Sequence, residues 1–194
     1  IATSGLLLAS SGTLAQQTLI KADAYVDVKN GETVQYVAVL IEDNKILEVG
    51  RQGQVQAEPN AKIIDLSGKT LVPGLMDMHV HLTKDAEDNF LAAKGNSVPR
   101  QTVKAVKNAK KTLMAGFTTV RNLGASGYSV IGLRDGINAG EVPGPRIWAA
   151  GHSISITGGH CDDNFSPPEA KSVAGGVGDG PWAVRAKVRE NIKY

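Results

Sequence analysis

Apolar and polar positions divide the chain into two regions of different period. From Thr18 to Thr70 the apolar residues recur in short runs separated by turn residues. Thr18–Asp27 alternates, Asn30-Gly31 is a hairpin signal, and residues 36–41 form a β-branched run. Asp43-Asn44 turns the chain into residues 45–49, and residues 62–66 make a further strand before Ser67-Gly68. This pattern predicts a small antiparallel sheet of the sandwich kind over residues 17–70. After Gly74 the rhythm changes to strand, helix, strand. Residues 71–82 read as a strand. Residues 101–115 carry apolar side chains at helical spacing, with Gly116 placed as a C-terminal cap glycine. A second strand follows over 117–121. A second helix covers 128–139, with Ser126 as N-cap, Val130, Leu133 and Ile137 on its inner face, and Gly140 ending it. A third strand over 145–150 and a third helix over 182–194 complete the run. Strands alternating with helices predict a parallel sheet of βα units.

His79 and His81 close the first of these parallel strands. Side chains two apart on a strand share a face. Leu75, Asp77, His79 and His81 therefore fall on one side, and Met76, Met78, Val80 and Leu82 on the other. The second side is wholly apolar and suits burial under a helix layer. The first ends in two imidazoles able to converge on one zinc-like ion. The same spacing also fits surface histidines, or core histidines bonded to backbone carbonyls. An inward Asp77 needs a partner, and a ligand histidine beside it is a natural one.

The run Val72-Pro73-Gly74-Leu75-Met76-Asp77-Met78-His79-Val80-His81 closely resembles the P-G-x-x-D-x-H-x-H signature of the amidohydrolase superfamily. The resemblance extends through Thr118-Thr119-Val120-Arg121-Asn122-Leu123-Gly124, Ile154-Ser155-Ile156-Thr157-Gly158-Gly159-His160 and residues 183–194. It is most like the branch of imidazolonepropionase-like enzymes, Xaa-Pro dipeptidase (prolidase) relatives and ochratoxin-hydrolysing amidases. The implied fold is α/β: a (β/α)8 TIM barrel, of which residues 71–194 hold the first three βα units. A β-sandwich portion over 17–70 precedes it. A closed barrel takes about 250 residues, so the chain reads as the N-terminal part of a longer enzyme, inactive alone.

That resemblance makes His79 and His81 ligands of one or two divalent ions, zinc foremost, with Asp77 supporting them. A carboxylated Lys from strand four, a His from each of strands five and six, and an Asp from strand eight would complete the set outside this chain. The implied chemistry is attack of metal-activated water on an amide carbonyl, in dipeptides or N-acyl amino acids. Hydrolysis of a cyclic amide, or deamination, is the alternative within the superfamily. A non-catalytic metal-binding or interaction fragment is the alternative outside it.

His160 matches the histidine of the family's T-G-G-H segment, placing it as a hydrogen-bond donor to substrate; an exposed loop histidine without a role is the other reading. His152 fits a substrate contact or a hydrogen-bonded core position. Arg121 fits a carboxylate anchor or a partner for an acidic neighbour at the barrel mouth. Cys161 is a bystander thiol, Asp162 and Asp163 turn or cap their loop, and the glycine-rich 175–180 stretch lacks a P-loop lysine.

Composition narrows the partners. A net charge of +2 on 194 residues gives no case for nucleic acid. Arg100, Lys104, Lys107, Lys110 and Lys111 fall opposite Val103, Val106, Leu113 and Met114, as on a solvated helix face. One cysteine excludes an internal disulfide framework and any multi-cysteine zinc site. Leu6-Leu7-Leu8-Ala9 followed by small residues looks like a secretory signal over residues 1–16. It is too short to span a bilayer and predicts a periplasmic or secreted protein with no membrane segment in its mature form. The resemblance adds a homo-oligomer when complete.

Overall fold

A computed structural model describes residues 16–89 and 95–194. The leader expected over 1–16 lies outside the described residues, Gln16 excepted. The chain divides after Pro73 into two compact units. None of the helices among the described residues is long and apolar enough to cross a membrane.

The first unit is a four-stranded sheet of β1 (Thr18–Asp27), β2 (Glu32–Glu42), β3 (Lys45–Arg51) and β4 (Lys62–Leu71), in the order β3-β2-β1-β4. Two tight turns make the hairpins. Gly31 takes φ 72° and donates its amide to the Asp27 carbonyl at 2.8 Å. Asp43 and Asn44 both lie in the left-handed region, as a two-residue turn matched to strand twist requires. Central strand β2 buries both faces. Val37 and Val39 pack with Ala22 on one side, Ala38 and Leu40 with Leu19 and Val55 on the other.

The sheet is mixed, not antiparallel throughout, because β4 runs parallel to β1. A parallel neighbour needs a crossover, and residues 52–61 supply it, anchored by Val55 in the core. Nor does β4 stop at Ser67-Gly68. The register steps from Ala22↔Leu66 to Ala24↔Thr70, so β4 carries two extra residues there. Gly68 bulges out at φ 76° while Asp65 Oδ1 accepts the Ser67 amide and hydroxyl. The strand survives because that bulge absorbs the turn residues.

The second unit holds β5 (Leu75–Val80), α1 (Val98–Met114), β6 (Phe117–Asn122), α2 (Ser129–Asn138), β7 (Arg146–Ala149) and α3 (Gly180–Lys193). Strands β5, β6 and β7 form a parallel sheet in chain order. Its core joins Leu82, Ala105, Ala109, Val120, Val130, Leu133 and Ile147, so α1 and α2 cover the same face. The opposite face stays open: along β7, Ile147 is buried between exposed Arg146 and Trp148. Gly116 ends α1 at φ 96°, its amide given to the Leu113 carbonyl at 2.9 Å, and Gly140 ends α2 likewise on Ile137.

Three expectations change here. Ser126 is not the N-cap of α2. It opens a 3-10 turn (Ser126–Tyr128), and left-handed Tyr128 takes the cap position. The basic face of α1 is not wholly solvated: Lys104 is buried beside Ala105 and Ala109, whereas Val103 and Met114 are exposed. The lysine stem lies along apolar surface while its ammonium finds carboxylates. Finally, the apolar side of β5 is buried only at its end. Leu82 enters the core with Val80 against it, and Met76 and Met78 stand exposed.

Candidate metal centre

His79 in β5 and His81, the first residue after it, come together at the C-terminal end of the parallel sheet. The rings of His79 and His81 meet edge to face, 5.5 Å between centroids. Strict alternation from Leu75 does not carry them there. Asp77 aligns with Val120 and Val80 with Asn122, three steps on β5 against two on β6, so β5 bulges between them. Asp77 answers the bulge locally: its Oδ1 accepts the His79 amide at 2.9 Å. Its partner is therefore the backbone of a candidate ligand rather than an imidazole.

His81 is oriented from the loop that follows β6. Its Nδ1 lies 3.2 Å from the Gly124 carbonyl oxygen. A carbonyl only accepts, so this hydrogen bond puts a proton on Nδ1, and in the neutral ring the lone pair is then on Nε2. That is the tautomer of a metal-ligating histidine braced by a backbone carbonyl. Asn122 meets the same carbonyl, donating from Nδ2 at 3.1 Å, while its Oδ1 accepts the Leu82 amide at 2.9 Å. Leu123 then donates its amide to the Val80 carbonyl at 3.2 Å.

The loop leaving His81 is fastened to α1. Asn108 Nδ2 donates to the Leu82 and Lys84 carbonyls at 2.9 and 3.1 Å. Lys104 Nζ reaches Asp88 at 2.6 Å and Asp85 at 3.6 Å, and Lys107 Nζ reaches Asp85 at 2.8 Å. The Lys107 ammonium, first among several donors and charges, holds the Asp85 carboxyl down at about 2. The Asp85 amide and then Lys104 lower Asp88.

Arg121 joins the histidine end of the sheet without an acidic partner. Its Nε donates to the Met78 carbonyl at 2.8 Å, and among the described residues no carboxylate pairs with it. His152 sits apart, against the Tyr128 ring at 4.5 Å, with Asn191 accepting its amide and donating to its carbonyl. His160 is exposed on the following loop, and among the described residues no contact links it to the histidine pair. That loop is well braced. Asp162 accepts the amides of Gly158, Ala174 and Asp163, and Asp179 accepts the Thr157 amide and hydroxyl. These bonds hold both carboxyls below their usual range. Cys161 is half-buried, and its amide meets Ser155 Oγ at 3.4 Å.

Two imidazoles, one set by a backbone carbonyl, fit half of a zinc site. Catalytic zinc takes three protein ligands, and among the described residues no group of three His, Cys, Asp or Glu side chains is placed to hold an ion. The residue missed by pattern reading is Asn122. It shares a face with core residue Val120, so alternation marks it as an inward amide in need of partners.

Comparisons with known proteins find relatives over most of the chain. Ochratoxinase of Aspergillus niger is 27% identical over 179 residues, spanning 89% of this chain and 35% of that protein. Imidazolonepropionase of Fusobacterium nucleatum is 31% identical over 161 residues, spanning 69% of this chain and 38% of that protein. A crystal structure of a Xaa-Pro dipeptidase with methionine bound in its active site has a TM-score of 0.76 at 36% identity, covering 92% of this chain and 45% of that one. The chain thus spans little more than a third of these curated relatives. The sequence model of the amidohydrolase family matches residues 70–193, from the end of β4 through both histidines to α3. On that match, which takes in more than half of its length, the chain belongs to the amidohydrolase family.

Proposed function

We propose that this chain forms the first part of a metal-dependent hydrolase that cleaves amide bonds in dipeptides or N-acyl amino acids. The observation that carries the reading is the His79–His81 pair with the His81 Nδ1 proton committed to Gly124. When bound, a divalent ion such as zinc supplies a Lewis acid for the scissile carbonyl and lowers the pKa of water beside it. His79 and His81 hold the ion, and Asp77 keeps the His79 backbone in place. Arg121, its Nε fixed to Met78, turns the rest of its guanidinium fork to a substrate carboxylate. His160 donates a hydrogen bond to substrate from the loop that Asp162 and Asp179 brace, and His152, just after β7, is read as a second substrate contact.

Two further features support a larger barrel. Edge strand β5 exposes Leu75, Met76 and Met78, and edge strand β7 exposes Trp148. Those are surfaces that additional strands and helices would cover. We read the mixed sheet of the first unit in the same way, as part of a sandwich. The leader makes the protein an exported one.

The test is metal analysis of the complete enzyme carrying this chain, with Xaa-Pro dipeptides and N-acyl amino acids assayed before and after chelation. Metal-dependent release of a free amino acid is the expected result. Full activity in metal-free protein would overturn the reading, and release of ammonia in its place would move the substrate to a deaminated base.

A further inference from the structure

We infer that Asn122 is a positioning residue for His81, one buried amide that sets both where the chain leaves the histidine and which way its ring faces. The inference rests on the metal-centre reading above. Asn122 ends β6 at 1% exposure, where an amide is costly unless its donors and acceptors are used. Its Oδ1 faces the Leu82 amide, which can only donate, and its Nδ2 faces the Gly124 carbonyl, which can only accept. The two neighbours therefore dictate the amide's orientation.

Leu82 is the residue after His81, so the first bond fixes the backbone exit of the ligand. The second bond acts on the ring. Gly124 O has two lone pairs, and they are taken by His81 Nδ1–H and Asn122 Nδ2–H. Asn122 thus holds the acceptor that selects the His81 tautomer. The carbonyl is fixed from its other side as well. Gly124 is buried at φ 153°, and a Cβ there would overlap Ser153 Oγ, whose hydroxyl donates to the Leu123 carbonyl at 2.9 Å. On the β7 side, Ala150 donates its amide to the Asn122 carbonyl at 3.0 Å, and Ala125 donates to Gly151 at 3.0 Å. The acceptor of the histidine proton is therefore set by the middle strand and has little freedom of its own.

Substituting Asn122→Asp keeps an acceptor for Leu82 and replaces the donor to Gly124 with an oxygen that repels it. Asn122→Ser loses both bonds in a smaller side chain and serves as the second variant. Val120→Ala, in the same buried strand without a bond to His81, is the control for lost packing. Each is made in the complete enzyme carrying this chain. Long-range proton–nitrogen NMR of the metal-free protein reads the His81 tautomer, and competition with a chromophoric chelator reads affinity for zinc alone.

The wild type should show a single Nδ1–H tautomer. Both Asn122 variants should mix tautomers and lose about 10–100-fold in zinc affinity, the range of a lost outer-shell partner. Val120→Ala should lower stability and leave both readouts in place. An Asn122 variant with a pure Nδ1–H tautomer and unchanged zinc affinity overturns the inference, as does a Val120→Ala protein with the same losses. A wild type that binds no zinc instead overturns the metal-centre reading, and the tautomer comparison still decides the part played by Asn122.

Discussion

Lys104 and Asp88 form an ion pair of 2.6 Å that ties the middle of α1 to the loop after His81. Lys104 is buried to 8% exposure, and the Asp88 carboxylate takes it with both oxygens, at 2.8 and 2.6 Å. Asp85 stands second to it at 3.6 Å and takes Lys107 at 2.8 Å. The loop that follows a candidate ligand is thus pinned by charge.

This pinning gives an acid dependence with a definite sign. Asp85 is lowered from 3.8 to about 2, and Asp88 is lowered too. Folded carboxyls below their unfolded value contribute stability that is present above about pH 4 and disappears as pH falls toward 2. Lys104, raised mainly by its bond to Asp88, contributes below its ordinary 10.5 and loses that contribution only at higher pH. Lys104→Met should lower the melting temperature at pH 7 and flatten its fall between pH 4 and 2. Thermal melts across pH 2–7 check this; a variant with the wild-type acid slope would count against it.

The core of the second unit makes a plainer forecast. Leu133 is 1% exposed on α2 and packs with Val120, Val130 and Ile147. Leu133→Ala should cost about 2–5 kcal/mol, the range for a large apolar side chain cut down in a core that cannot collapse around the gap. Urea denaturation with the slope held common to both proteins measures it.

In the complete enzyme carrying this chain, His79→Asn and His81→Asn should each abolish tight zinc binding, by more than the roughly 100-fold upper range of an outer-shell loss. Neither should disturb the metal-free melt, because His79 is exposed and His81 only half-buried. Calorimetric titration with zinc, paired with melts in chelator, separates the two effects. Retained tight binding in either variant removes the pair as the metal centre.

The loop of His160 owes its shape to Asp162. Asp162→Ala leaves the amides of Gly158 and Ala174 without their acceptor. Hydrogen exchange at those two amides should quicken about fivefold or more, the equivalent of one ordinary hydrogen bond. Exchange at the Gly178 amide, which donates to the Ser155 carbonyl, should change less. Equal acceleration at all three would mean that the loop moves as one body.

What was legible in the sequence was local. Asn30-Gly31, Asp43-Asn44 and Gly116 marked turns and a cap because each needs a backbone conformation that few residues supply. The histidine pair showed through its spacing. What was not legible depended on partners distant in sequence. Ser67-Gly68 looks like a strand end until β1 pairs past it. Lys104 reads as solvent-facing until Asp88 arrives from outside the helix. Asn122 lies in the segment 118–124 that carries the family resemblance, but nothing in its pattern shows that its amide meets Leu82, 40 residues earlier. The partner of Asp77 is likewise invisible in the pattern: beside the bulge in β5 it accepts the His79 amide rather than an imidazole.

The sheet order β5-β6-β7 repeats chain order, and this bears on how the chain assembles as it is made. After β5, each of the described strands pairs with the one made just before it. Such short-range closure favours rapid folding, and synthesis delivers the N-terminal end first. The His81 ring and the carbonyl that aims it lie 43 residues apart. Both leave the ribosome before β7 does, whereas Ala150, Gly151 and Ser153, which steady the Gly124 segment, follow it; the imidazole meets its acceptor early, and the chain after β7 then locks that acceptor in place.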